Sequence, residues 1–378
     1  MIKRLLNLLE ILEKKSYFLF GPRQTGKTSL VEEDLQGFPS FNLLDSEVFF
    51  RLSRSPAALR EMILPGQRRV IIDEIQKLPE LLDEVHLLIE KRKIHFLLTG
   101  SSTRKLRSGG VNLLGGRARS RYLHPFVSAE LEEEFDLIRS LNYGLIPSIY
   151  LSNEPDEDLR AYCGNYLQTE IAAEGLTRSI GAFSRFLEVA AVCNTQMINY
   201  SKISSDAQVP RTTVIEYFQI LRDTLLGYDL KPWGKTVKRK ALSSSKFYFF
   251  DPGVARALKH GPKVEADSYE FGESFENFIF HELKSYLDYC QPEGELNYWR
   301  STSGFEVDFI LNGEIAIEVK STKKVQSDDL RGLRALSEEI SLKRKIVVCR
   351  EILEMNKNGI EILPWKLFLS KLWAHEFR

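Results

Sequence analysis

Three short, mainly apolar runs punctuate the first third of the chain: "SYFLF" from Ser16, Val70 to Ile72, and Ile94 to Leu98. Each is apolar without alternation, which predicts strands covered on both faces, as in a parallel sheet. Between them the spacing turns helical. "MIKRLLNLLEILEKK" has basic flanks but acidic interruptions, so it predicts an amphipathic helix and not a signal peptide. "SLVEEDLQ", after the first strand, predicts the start of another helix. From about Pro147 the strand–helix alternation stops. Val214, Tyr217, Phe218, Ile220, Leu221 and Leu225 follow helical spacing behind a turn at Val209–Pro210, with a shorter helix before it. This is helix-turn-helix grammar. "YDLKPWG" and "KFYFFDPG" then predict a strand pair, which completes a winged helix.

The last third changes period again. "GESFENFIFHELKSYL" is an amphipathic helix carrying Glu273, Glu276 and Glu282. Two strands follow, joined at Asn312–Gly313, a strong hairpin signal. Glu318 and Lys320 alternate with Ile317 and Val319, so the two polar residues share one face. "VQSDDLRGLRALSEEI" predicts a helix and "KRKIVVCR" a further strand. The expected architecture is therefore α/β and multidomain: a parallel-sheet domain over residues 1–150, a helical linker and winged helix over 151–262, and a smaller α/β domain over 263–378.

Composition narrows the class of protein. The 378 residues suffice for two or three domains, and a hydrophobic content of 43% allows sizeable cores. The 52 acidic and 52 basic residues cancel, so no global field draws the chain to nucleic acid or membrane; such contacts need a local patch. Cys163, Cys193, Cys290 and Cys349 lie too far apart for a disulfide framework or a CxxC metal site. No apolar run approaches the length of a membrane span. A cytoplasmic protein with reduced thiols is expected.

The link between the first strand and its helix is "GPRQTGKTS". Gly21, four residues, Gly26, Lys27 and Thr28 give the P-loop spacing. Gly21 and Gly26 permit backbone angles and close approaches that a Cβ blocks. Within the Pro22–Ser29 loop, the backbone N–H groups from Arg23 onward, through Gln24 and Thr25, can then turn toward phosphates. Lys27 brings a point charge to the β- and γ-phosphates, and Thr28 a hydroxyl for Mg²⁺. Asp73 and Glu74, at the end of the Val70–Ile72 strand, supply the second carboxylate element. Asp73 suits the Mg²⁺ shell, and Glu74 can orient or activate the attacking water. Thr99 and Ser101 follow the third strand, where ligands bind in open α/β sheets. Either suits a sensor of the γ-phosphate. Arg117, Arg119 and Arg121 stand beside Gly115 and Gly116; an arginine there can serve the phosphoryl group in cis or across a subunit boundary.

With these residues in hand, the chain resembles the bacterial and archaeal ATPases that join an AAA-type P-loop domain to a C-terminal region of unknown function. The resemblance runs through "FLFGPRQTGKTSL", "VIIDEIQKLPEL", "LLTGSS", "LLGGRARSRYLHPFVSAEL", "GLIPSIY", "FFDPGVARAL" and "FGESFENFIFHEL", in order along essentially the whole chain. It implies ATP binding and slow hydrolysis. It carries over Lys27, Thr28, Asp73 and Glu74 as functional positions, and Arg117 as the family's arginine after glycine.

Two further sites are expected. "PRTTV" would open a recognition helix, with Arg211 and two hydroxyls near DNA. Lys231, Lys235, Lys238, Arg239, Lys240 and Lys246, with no acidic residue among them, form an electrostatic footprint for a phosphate backbone. In the last third, a helix with Glu276, a strand with Asp308 and a strand with Glu318-x-Lys320 give the layout of PD-(D/E)XK nucleases. Asp308 and Glu318 would hold Mg²⁺, Glu276 would complete the metal shell, and Lys320 would position water or phosphate. The resemblance supports a nuclease-like fold, with Asp308, Glu318 and Lys320 at the matching positions. Two functions compete: an ATP-driven, DNA-associated ATPase that cuts with Mg²⁺, and a switch in which ATP controls homo-oligomerisation, the winged helix binds protein and the nuclease-like domain does not cut. An ATP-binding repressor is a third.

Overall fold

Every residue of β1 (Ser16–Phe20) is buried, as its unbroken apolar pattern requires. β1 is the fourth of five parallel strands, in the order β2 (Ser40–Asn42), β3 (Arg69–Asp73), β4 (His95–Gly100), β1, β5 (Ala118–Tyr122). Phe18, Phe20, Val70, Ile72, Phe96 and Leu98 enter one core cluster, while the intervening Tyr17, Leu19, Ile71 and Leu97 are buried as well. The computed structural model describes residues 2–102, 104, 106, 114–166, 179–234 and 239–377. It divides into two compact units. The first comprises residues 1–126 with 223–225, and the second comprises 127–222 and 226–378.

In the first unit, α1 (Leu8–Lys14) covers only the second half of the amphipathic N-terminal stretch. Asn7 caps it by accepting from the Glu10 N–H. Helix α2 (Lys27–Asp34) starts directly from the glycine loop after β1. Helix α5 (Leu81–Arg92) follows α3 (Ser46–Arg54) and α4 (Leu59–Met62) and leads into β4.

The second unit begins with the short helix α6 (Ser128–Leu131). Helices α7 (Ile180–Val192), α8 (Tyr200–Ala207) and α9 (Arg211–Asp223) follow, with the turn between α8 and α9 at Gln208 in left-handed backbone. Edge-to-face rings tie them together: Phe186 to Phe218 at 5.0 Å, and Phe218 to Phe247 at 4.9 Å between centroids. Phe247 lies on β7 (Lys246–Phe249), which pairs antiparallel with β6 (Gly227–Pro232), the strand pair the sequence predicts.

That pair is not a free-standing wing. β6 continues, in parallel, onto β8 (Leu296–Arg300), with Lys231 opposite Asn297 and Pro232 opposite Tyr298. One sheet of eight strands results, ordered β12 (Met355–Lys357), β13 (Ile360–Pro364), β11 (Arg344–Cys349), β10 (Ile315–Val319), β9 (Glu306–Leu311), β8, β6, β7. The sequence-based division at 262 therefore falls inside a shared sheet; hydrogen bonds between strands far apart in the chain leave no compositional mark. Between β7 and β8 run α10 (Pro252–Leu258) and the long α11 (Glu270–Cys290). Glu282 of α11 is fully buried. It accepts from the Ser128 N–H at 2.7 Å, the Ser128 hydroxyl at 3.1 Å and Trp373 Nε1 at 2.7 Å. It thus fastens α6 and α12 (Trp365–Trp373) to α11.

Candidate functional site

The first unit gathers its polar chemistry at the carboxyl ends of β1, β3 and β4. Gly26 opens α2 in left-handed backbone (φ 88°), and a Cβ on Gly21 would collide with the Leu123 carbonyl oxygen. Both glycines are thus required by the loop itself. Lys27 is buried, and its ammonium donates to the carbonyl oxygens of Gly21 at 2.7 Å and Pro22 at 2.9 Å. Thr25 is buried and donates to the Pro22 carbonyl at 2.8 Å. Arg23, Gln24, Thr28 and Ser29 lie exposed along the rim.

The strand ends meet this loop. Thr28 Oγ1 donates to Asp73 Oδ2 at 3.4 Å. The Thr99 hydroxyl donates to Asp73 Oδ1 and accepts from the Glu74 N–H at 3.1 Å. Thr99, fully buried, so ties β3 to β4 where the two carboxylates emerge. Glu74 itself has left-handed backbone (φ 60°), uncommon for a residue with a Cβ. That turn carries its carboxylate away from the strand to accept from Gln76 Nε2, which also donates to Ser101 Oγ at 3.2 Å. The Thr28 hydroxyl and Asp73 carboxylate are hard oxygen donors beside a loop rich in backbone N–H groups, a set that fits Mg²⁺ and phosphate.

Arg4 is the residue that the sequence did not reveal. Its guanidinium donates to the Thr25 carbonyl and to the His124 carbonyl, both at 2.7 Å, and lies 5.1 Å from the Phe126 ring centroid. It braces the P-loop against the segment after β5. Nothing in the local pattern of "MIKRLL" marks it, because its partners stand 21 and 120 residues away.

Arg117 needs a correction. It precedes Ala118, which stands opposite Ser16, the first residue of β1, whereas the P-loop follows Phe20, the last. Arg117 is therefore at the amino edge of the sheet, a strand length from the phosphate loop. It pairs there with Glu90 and donates to the Gly115 carbonyl at 3.5 Å. Action in cis is excluded by strand direction. Arg121 stacks over Tyr17 at 5.3 Å, and Arg119 is exposed.

The second unit holds a separate cluster. Asn312 and Gly313 both take positive φ, 54° and 71°, and close the β9–β10 hairpin as the sequence predicts. Phe309 stands opposite Ile317, so Asp308 and Glu318, one step outward on each strand, come side by side. Asp308 Oδ2 accepts from the Val319 N–H at 2.9 Å. Glu276, Asp308, Glu318 and Lys320 line one cavity of about 500 Å³. Lys320 pairs with Glu318 Oε1 at 2.7 Å, while Glu318 Oε2 is buried with no hydrogen-bond partner.

Into this cluster comes Lys246, which the sequence had placed in a basic surface footprint. It is buried at 3% exposure. Its ammonium lies 2.6 Å from Glu306 Oε1, 3.3 Å from Glu276 Oε1 and 3.6 Å from Asp308 Oδ1. β7 turns it inward, away from the surface. Arg239 is likewise committed, to Glu338 and Glu339 at 2.8 Å each. Of the remaining footprint, Lys231 and Lys240 are exposed, and Lys235 and Lys238 lie outside the described residues. The footprint is thus smaller than the sequence suggests.

Electrostatics follow from burial. Desolvation pushes the Glu276 carboxyl up to about 7, against the pull of Lys246. Desolvation and the neighbouring Asp308 raise Glu318 as well. Burial opposes the charge on Lys246, but Tyr248, Glu276, Asp308 and Glu306 outweigh it and hold its pKa well above the ordinary value. The Tyr248 hydroxyl donates to Glu276 Oε1 at 2.6 Å.

These residues do not fit a bound divalent metal. An ammonium already occupies the point toward which Glu276, Glu306 and Asp308 converge. Among the described residues, no group of three Asp, Glu, His or Cys side chains is placed to hold a metal ion. The metal-ligand roles expected for Glu276, Asp308 and Glu318 are corrected accordingly: the side chains come together, but around Lys246.

Comparison with known proteins adds the following. Residues 13–132 match a family described as an AAA domain. Residues 134–265 and 271–368 match two families described as domains of unknown function, DUF8612 and DUF4143. An uncharacterized protein of Mycobacterium tuberculosis and one of Mycobacterium bovis are each 25% identical over 348 residues, covering 87% of this chain and 75% of their own. The Aeropyrum pernix ORC1 protein in complex with DNA shares 14% identity at a TM-score of 0.24, covering 68% of this chain and 90% of that one. No helix among the described residues is long and apolar enough to cross a membrane. The family match and the convergence of loop, Asp73 and Thr99 together make residues 13–132 an AAA-type P-loop domain.

Proposed function

We propose that this protein binds ATP with Mg²⁺ and hydrolyses it slowly at the P-loop of its first unit. The observation that carries the reading is the hydroxyl of Thr99, which holds Asp73 and the Glu74 backbone in one arrangement while Thr28 reaches Asp73. Mg²⁺, held by Thr28 and Asp73, supplies charge neutralisation on the phosphates. Lys27 binds the β- and γ-phosphates in place of the two carbonyl oxygens it now meets. Loop N–H groups from Arg23 to Ser29 orient the nucleotide. Glu74, carried off the strand by its left-handed turn, accepts a proton from the attacking water. Arg117 takes part only from a neighbouring copy of the chain, because its own site lies at the other edge of the sheet.

Isothermal titration with ATP tests the binding step. Lys27→Ala abolishes binding, and Glu74→Gln retains it but stops phosphate release. Unchanged ATP affinity in folded Lys27→Ala refutes the reading.

A second reading concerns the second unit. Arg211 and Thr212 are exposed at the start of α9, the second helix of the α8–α9 pair, where a recognition helix meets DNA. This favours a DNA-associated ATPase with a winged-helix-like and nuclease-like second unit. Lys246 stands where Glu276, Glu306 and Asp308 converge, which leaves metal-dependent cleavage no place for its cation. A DNA-associated ATPase that does not cut is the form of the function that this geometry favours. Fluorescence anisotropy with linear and branched duplexes should show affinity that falls with salt and weakens in Arg211→Ala. Salt-independent binding counts against it.

A further inference from the structure

The nuclease-like layout brings together four carboxylates, Glu276, Glu306, Asp308 and Glu318, around one cavity. A site of this kind ordinarily needs a divalent cation to relieve the repulsion between them. Here the chain brings its own cations. Lys246 lies within 3.6 Å of three of the carboxylates, Lys320 binds the fourth at 2.7 Å, and Arg300 Nη1 stands 3.3 Å from Glu306 Oε2. Three fixed positive charges among four carboxylates leave little demand for two more. Lys246 is also held firmly in place: it is 3% exposed, hydrogen-bonded to Glu276, and carried on a strand anchored between α9 and the sheet. Moving it aside would strand a buried ammonium as well as its carboxylates.

We infer that Lys246 is the built-in cation of this pocket, and that it excludes divalent metal from the Glu276–Asp308–Glu318 cluster. Lys246 is then the charge partner of this pocket's carboxylates and not part of a DNA-facing surface. This rests on the geometry of the second unit alone; failure of the ATP reading would show in Lys27 and Glu74 variants and leave it untouched.

Mn²⁺ titrated by calorimetry into the full-length protein, without nucleotide, tests the inference. Binding at the P-loop is common to all variants, so the Asp308-dependent part is the readout. Wild type and Asp308→Asn should give the same isotherm. Lys246→Ala should gain one Mn²⁺ site, because removal of the ammonium leaves Glu276, Glu306 and Asp308 oxygens converging on a common point. That site should vanish in Lys246→Ala/Asp308→Asn. Lys246→Arg, which keeps the charge, should gain none. Should Lys246→Ala fail to fold by near-ultraviolet circular dichroism, the wild-type comparison still decides. An Asp308-dependent Mn²⁺ site in the wild type overturns the inference, as does a folded Lys246→Ala that gains no such site.

Discussion

Replacing Glu282 by glutamine isolates one buried carboxyl whose protonation is coupled to folding. Burial lifts Glu282 from its ordinary value of 4.5 to about 7, although Ser128 and Trp373 donate to it. Between those values the unfolded chain releases its proton while the folded chain keeps it. The unfolded state therefore binds fewer protons, and stability falls as pH rises through the window. At about 1.4 kcal/mol per tenfold change in proton affinity, the loss is about 3 kcal/mol between pH 4.5 and pH 7. Asp251, raised by burial to about 6, and Glu276, raised to about 7, tilt the wild type the same way. The variant should therefore keep part of the slope and lose the share of Glu282. Glutamine turns an N–H toward groups that already donate, which lowers stability at every pH alike; the test is the change with pH, not the absolute value. The four tryptophans, Trp233, Trp299, Trp365 and Trp373, all lie in the second unit, so fluorescence follows its unfolding in urea directly. If wild type and Glu282→Gln lose the same unfolding free energy between about pH 4.5 and pH 7.5, burial of this carboxyl is not what sets the slope.

Arg4→Ala removes the charged brace between the Thr25 and His124 carbonyls. ATP affinity should fall about tenfold, equivalent to about one charge-assisted hydrogen bond, and an unchanged titration isotherm would dismiss the brace. For Arg117, turnover per wild-type chain should rise with protein concentration, while Arg117→Ala stays at the dilute-solution rate throughout. A loss in Arg117→Ala that ignores concentration argues against action between copies.

What could be read from the chain follows the range of the interaction. The P-loop, Asp73 and Glu74 were legible because a phosphate grip needs glycines, lysine and hydroxyl within a few consecutive residues. Asn312–Gly313 was legible for the same reason: a two-residue turn with positive φ at both positions must be written locally. Asp308, Glu318 and Lys320 converge as their alternation requires. The residues that escaped are those whose roles depend on distant partners. Lys246 sits in a stretch rich in lysine and looks like surface, yet the pairing of β6 with both β7 and β8 buries it. Arg117 looks like a phosphate ligand beside glycines, yet the register of β5 on β1 sets it at the wrong edge. Arg4 has no local mark at all. Glu306, two residues before Asp308, shares its face by simple alternation; the period-2 pattern could have pointed to it.

The shared eight-stranded sheet limits how this chain can be cut and recombined. A break at residue 262 would bare β6 on one fragment and β8 on the other, and open strand edges of this kind invite aggregation. The C-terminal fragment would also leave Lys246 behind, so Glu276, Glu306 and Asp308 would confront one another without their ammonium. The helical segment and the segment after residue 262 are consequently not interchangeable cassettes. A chimera that grafts either onto another protein must carry both from Val127 onward, and a replacement of the helices alone must preserve the strand that delivers Lys246.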